Sequence, residues 1–179
     1  MYISPIGGFN EMTNERKIIL LVTFFSLLVL IGAAVLLSNS TNKASLQKIT
    51  GAKIELSEES FEFGDIDYSG GVATHSYKIR NSGDKDLEVA NIVTSCMCTQ
   101  AFVKGPFGEG PKSGMKGMSK PSAWKGIFKP GEEGELIAVF DPAFHGPQGV
   151  GSISRSVSFE TNDPDRPYVE LLFSGNVVK

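Results

Sequence analysis

From Ala52 onward, apolar residues recur at every second position in short runs separated by Gly, Asn, Asp and Pro, and no stretch keeps a helical period for long. This pattern predicts an all-β domain with strands at Lys53 to Leu56, Phe61 to Ile66, Ala73 to Arg80, Leu87 to Ser95, Glu135 to Phe140, Ser152 to Thr161 and Tyr168 to Val177. Two runs alternate cleanly. Ile153, Val157 and Phe159 oppose Ser152, Ser154, Ser156 and Ser158, while Val169, Leu171 and Phe173 oppose Glu170, Leu172 and Ser174, so one face of each is buried and the other wet. Seven such strands in about 125 residues predict an immunoglobulin-like β-sandwich, with a closed barrel as the alternative. The parity of Leu87 and Val89 shifts to Ile92 across Ala90-Asn91, which predicts a β-bulge just before two cysteines.

Ahead of this domain stands a different pattern. Ile18 to Leu37 carries no charge and, at about 1.5 Å per residue, reaches about 30 Å as a helix, the thickness of a bilayer's hydrocarbon core. It predicts a single transmembrane helix; a cleaved leader is the rival, but its apolar region is usually shorter and ends in small residues, unlike Val35-Leu36-Leu37-Ser38. The chain is thus divided into a tail (1–17), a membrane helix (18–37), a polar linker (38–51) and a sandwich (52–179) interrupted by a long loop (99–130). Arg16 and Lys17 abut the helix and favour an N-terminus inside, which makes the domain extracytoplasmic on a single-pass cell-membrane protein. Lys43, Lys48 and Lys53 beyond the other end weigh against that orientation.

With 179 residues the chain has room for one ordinary domain and an accessory segment. Residues 44–179 carry 14 Lys and Arg against 18 Asp and Glu, an acidic balance that excludes a nucleic-acid partner. Lys104 to Gly126 departs from that balance, with six Gly, three Pro and five Lys against Glu109 alone.

Ordered short motifs run through the domain: Phe61-Glu62-Phe63-Gly64, His75-Ser76-Tyr77-Lys78-Ile79-Arg80-Asn81-Ser82-Gly83, Ser95-Cys96-Met97-Cys98-Thr99, Pro130-Gly131-Glu132 and Thr161-Asn162-Asp163. In this order the sequence resembles the bacterial domain-of-unknown-function family 1573, from Phe61 to about Val177. The resemblance implies an immunoglobulin-like fold and a cell-envelope setting and assigns no activity. The chain departs from the family pattern at Met97, where Gly is commonest, and in the length of the loop that follows.

Cys96 and Cys98 are the only cysteines. On an extended segment they point the same way with Cα atoms about 6.5 Å apart. Paired thiolates there suit Cu(I) or, less selectively, Zn(II), whereas a disulfide between them needs a turn or bulge. Met97 lies between them, Met115 and Met118 sit in the long loop, and His145 occupies a turn expected at the same end of the sandwich. These six residues form the candidate metal site, with Trp124 placed to shield an ion. Each has a plainer reading: buried Cys and Met as core filler, Trp124 as a packing anchor, His145 as a turn residue and His75 as a half-buried sandwich residue. A cysteine nucleophile could take His75 or His145 as its base but has no identifiable third, orienting group, and Asn162, Asp163 and Asp165 read as a turn rather than a calcium loop, so an enzyme is not expected. Three functions remain open: a membrane-tethered metal-capturing module, a structural module docking another envelope protein, and a thiol–disulfide redox protein.

Overall fold

The computed structural model describes residues 13–38 and 43–179, in two compact units that divide after residue 41. Residues 1–12 of the expected tail and 39–42 of the expected linker lie outside the described residues. The first unit is one helix, α1 (Asn14–Ser38), which begins four residues before the uncharged run. Ile18 to Ile31 supply large apolar side chains that are exposed around the whole helix. The Thr23 hydroxyl donates to the Ile19 and Leu20 carbonyls, and that of Ser26 to the Thr23 carbonyl, so these polar groups are satisfied by their own backbone. Length, composition and internal satisfaction fit a single transmembrane helix; a leader sequence passes the same length and composition test.

The second unit is an immunoglobulin-like sandwich. Its strands are β1 (Ile54–Leu56), β2 (Ser60–Asp67), β3 (Ala73–Asn81), β4 (Leu87–Thr94), β5 (Thr99–Gly105), β6 (Gly108–Glu109), β7 (Lys125–Phe128), β8 (Glu133–Phe140), β9 (Gly151–Thr161) and β10 (Tyr168–Val178). One sheet has the order β1-β3-β8-β5-β6 and the other β2-β10-β9-β4-β7. Named pairings are antiparallel except β2 with β10. Tyr77, Ile79 and Leu136 from the first sheet meet Val157, Phe159 and Phe173 from the second in a core that excludes water from all six. The seven strands read from alternation are present, each within two residues of its expected ends.

The segment 99–130 is not a loop throughout, because it contains β5, β6 and β7. Alternation fails in β5 because Ala101, Phe102 and Val103 are all buried in succession. Phe102 faces away from the core yet is covered, with the Lys112 ammonium 5.7 Å from its ring centre. The chain after β6 runs back along β5, Ala101 and Ser113 exchanging two backbone hydrogen bonds of 2.8 Å. β7 is short, and its Gly126 is required by a close approach: a Cβ there would stand 2.7 Å from Phe107 and 2.8 Å from Trp124.

The expected linker is also partly fastened. Ala44 is buried, its N–H donates to the Ser122 carbonyl, and its own carbonyl accepts from Asn91 Nδ2 at 2.9 Å. Lys43 pairs with Glu160 at 2.6 Å, while Lys48 donates to the Thr161 carbonyl at 2.7 Å. Burial alone would raise the Glu160 carboxyl, but hydrogen bonds from Lys43 and Asn91 and the charges of Lys43 and Lys48 hold it below its ordinary value.

Buried polar side chains tie the sandwich at its turns. Asn162 Oδ1 accepts from the Glu88 N–H at 2.8 Å and its Nδ2 donates to the Asp86 carbonyl at 2.9 Å. Asp163 accepts from the N–H groups of Ile54 and Asp165, and so closes the turn read from sequence. Asn162→Ala leaves a buried donor and acceptor unpaired, so urea unfolding of residues 43–179 should show a stability loss of about 2–4 kcal/mol with an unchanged slope.

Tyr77 is buried and its hydroxyl donates to the Leu172 carbonyl at 2.6 Å. Burial, and secondarily the Glu58 carboxylate, push its phenol from 10.0 up to about 12. The unfolded chain releases this proton first, so the contribution is intact below pH 10 and declines as pH rises towards 12. The urea midpoint should therefore fall more steeply from pH 10 to 11.5 in the parent than in Tyr77→Phe.

Candidate functional site at the sheet-crossing corner

β4 belongs to one sheet and β5 to the other, so the four residues Ser95 to Cys98 carry the chain across the sandwich. They form a turn rather than the extended segment expected, with the Cys96 and Cys98 Cα atoms 5.2 Å apart. The reason lies earlier, within β4. Asn91 sits at φ 56 and the β4–β9 register slips between Ala90 and Val93, which is the expected bulge. Beyond it, the buried Thr94 hydroxyl faces the carbonyls of both Cys96 (2.9 Å) and Thr99 (3.1 Å). Thr99 N–H closes back on the Cys96 carbonyl at 3.2 Å, and Asp141 N–H donates to the Cys98 carbonyl at 2.9 Å. Ser95 N–H and Ser156 N–H reach each other's residue at 3.0 and 2.9 Å and lock the corner to β9.

Cys96 and Cys98 are joined as a disulfide. Closing so short a loop removes little freedom from the unfolded chain, ~1.6 kcal/mol on the loop-entropy relation, against ~3 for a fifteen-residue loop. The backbone bonds above fix the turn independently. The bond therefore contributes little to holding the sandwich together.

The two sulfurs have different surroundings. Cys98 is 3% exposed and packs in the core, where its Sγ accepts from Arg155 Nε at 3.4 Å and lies 3.8 Å from the Thr99 hydroxyl. Cys96 is half-buried, with the Cys98 N–H directed at its Sγ (3.3 Å) and His145 Nε2 3.4 Å away. His145 is exposed and comes from the connection between β8 and β9, which turns sharply at Gly146, φ 69. One donor atom from each of Cys96, Cys98 and His145 lies within 4.8 Å of the others.

The other expected ligands lie outside this trio. Met97 is 46% exposed at the tip of the turn and Met118 is 67% exposed. Met115 is half-buried and its backbone bridges to Thr94, which brings the basic loop alongside the corner. Trp124 packs edge-on against Phe107, 5.5 Å between centroids, and Phe107 against Phe128 at 5.2 Å, so Trp124 is a packing anchor and not an ion shield. His75 stacks on Phe61 at 3.6 Å and pairs with Glu58 at 2.9 Å, a half-buried sandwich residue.

Arg155 escaped the sequence reading although a signal existed. Position 155 is in phase with Ile153, Val157 and Phe159 on the inward row of β9, and a cation there needs a partner. The partner is Cys98, 57 residues earlier in the turn that follows β4, and the β4–β9 pairing brings the two together.

A two-sheet immunoglobulin-like module with a cysteine–histidine cluster at one corner is what the structure defines. Over residues 54–116 the chain matches the family described as Protein of unknown function (DUF1573), the family that the ordered motifs resemble. The matched segment includes both cysteines and stops before His145 and Arg155. Among solved structures the chain is similar to a protein of unknown function from Porphyromonas gingivalis W83, at 22% identity and TM-score 0.52, covering 72% of this chain and 49% of that one. The chain thus spans about half the length of that protein, and the likeness is one of fold. Similarity also extends to the ASH / PapD-like domain 7 of human CEP192, at 16% identity and TM-score 0.44, covering 75% of this chain and 91% of that one. The YadV chaperone matches at 7% identity and TM-score 0.42, over 70% of this chain and 52% of that one. No curated protein matches the chain.

If the disulfide is not a staple, reduction should lower the unfolding free energy of residues 43–179 by no more than about 2 kcal/mol in urea titrations with and without reductant. A loss above about 4 kcal/mol would make it one.

Proposed function

We propose that the protein is a membrane-tethered binding module whose domain lies outside the cytosol, and that its corner in the dithiol state captures Cu(I) without catalysing a reaction. The observation that carries this reading is the convergence of two sulfurs and an imidazole nitrogen within 4.8 Å. Reduction frees both thiols while the hydrogen bonds of Thr94, Thr99 and Asp141 keep the turn in place, so the donors stay together. Two thiolates and one imidazole suit three-coordinate Cu(I); closed tetrahedral Zn(II) asks for a fourth ligand. Met115, on the strip of loop bonded to Thr94, and Met97 and Met118 beside it are the thioethers available for handing the ion on. The sidedness rests on the basic pair Arg16 and Lys17 before the helix.

Titration of the reduced protein with Cu(I) held by a coloured competing chelator should withdraw one equivalent of metal. The variant carrying both Cys96→Ser and Cys98→Ser should withdraw none, and His145→Ala should bind about 10–100-fold more weakly. Unchanged chelator absorbance with the parent protein would end the metal reading and leave a docking module.

A further inference from the structure

The corner has an asymmetry that metal capture does not need. One sulfur of the disulfide is accessible and the other is in the core, 3% exposed, against a permanently charged guanidinium. We propose that Cys96–Cys98 is a thiol–disulfide exchange site, in which Cys96 is the sulfur attacked by a dithiol partner and Cys98 the sulfur that leaves. This stands without the Cu(I) reading, since no metal takes part.

An exchange step is an in-line displacement at sulfur, so the attacking thiolate approaches along the extension of the bond it breaks. The core and β9 close the approach to Cys98, whereas the half-buried Cys96 sits at the turn beside exposed Met97 and exposed His145. Attack at Cys96 forms a partner–Cys96 mixed disulfide and expels Cys98 as a thiolate. That charge develops 3.4 Å from Arg155 Nε and within reach of the Thr99 hydroxyl, both donors. A charge-assisted hydrogen bond waiting for the leaving group lowers the barrier to its departure. The partner's second thiol then attacks the partner's own sulfur in the mixed disulfide and releases Cys96. In sum, two electrons and two protons pass from the partner dithiol to this chain, giving a partner disulfide and the Cys96, Cys98 dithiol; the reverse direction oxidises a partner.

Three features fit this use better than a structural one. The bond closes a loop too short to stabilise the fold much. The turn is held by backbone hydrogen bonds that survive when the bond opens. Arg155 stands at an inward position of β9 where every in-phase neighbour from Ile153 to Phe159 is apolar, and it is directed at the sulfur that has to carry charge.

The experiment uses the full chain in detergent micelles with a metal chelator present, so that its outcome is separate from Cu(I) binding. Protein treated with excess reduced glutathione and quenched in acid should carry the glutathione adduct on Cys96, located by fragment ions on either side of Met97. Dithiothreitol should then yield two free thiols. Reduction should be about tenfold slower in Arg155→Gln and largely restored in Arg155→Lys, as loss and return of a charged hydrogen-bond donor predict. Glutathione found on Cys98, a disulfide that excess dithiothreitol leaves intact in the folded protein, or equal reduction rates in the parent and Arg155→Gln would each overturn the proposal. Because adduct mapping needs no substitution, a variant that fails to fold does not decide the matter.

Discussion

The chain crosses between two sheets in four residues, and the sandwich depends on that crossing being tight. Facing sheets stand about 10 Å apart, a gap an extended segment bridges only by leaving backbone groups unpaired. Here β4 bulges at Asn91, four residues before the crossing, and the buried Thr94 hydroxyl takes up the carbonyls that the turn exposes. The geometry that solves this backbone problem also sets two cysteines side by side. Their proximity is thus a property of the corner before any bond forms between them.

The same corner gathers residues from three parts of the chain. β4 and β5 bring the cysteines, the β8–β9 connection brings His145, and β9 brings Arg155. A cation on one sulfur and an imidazole near the other make the two cysteines chemically unequal, although they are two positions apart. Burial reinforces the inequality, since one side chain belongs to the core and the other to the rim.

Much of the architecture was legible because a half-buried strand writes its own alternation; β9 and β10 did so cleanly, and even the bulge appeared as a parity slip. β5 was illegible for a physical reason: the strip of chain after β6 covers its second face, so Ala101, Phe102 and Val103 are buried in succession and the period of two vanishes. β7, four residues with a glycine required by aromatic neighbours, carries too little pattern to read. The fastening of residues 43 to 49 was invisible because backbone groups and long polar side chains make it, not apolar spacing. At the site, cysteine spacing and the position of His145 in a turn could be read from sequence. The turn geometry could not, and Arg155 required noticing a charge in an apolar row.

The rims of the two sheets differ in a way that bears on solubility. The first sheet ends on strands of three and two residues, β1 and β6, and the second on one side with the four-residue β7. In the second sheet β2, eight residues long, offers an outer rim that another chain's backbone would recognise. That rim is broken where Gly64, φ 69, interrupts its register with β10, and it bears Glu62, Asp65 and Asp67. A kinked, negatively charged border repels a second copy of itself, so this rim is guarded against the strand-by-strand stacking to which all-β proteins are prone when crowded.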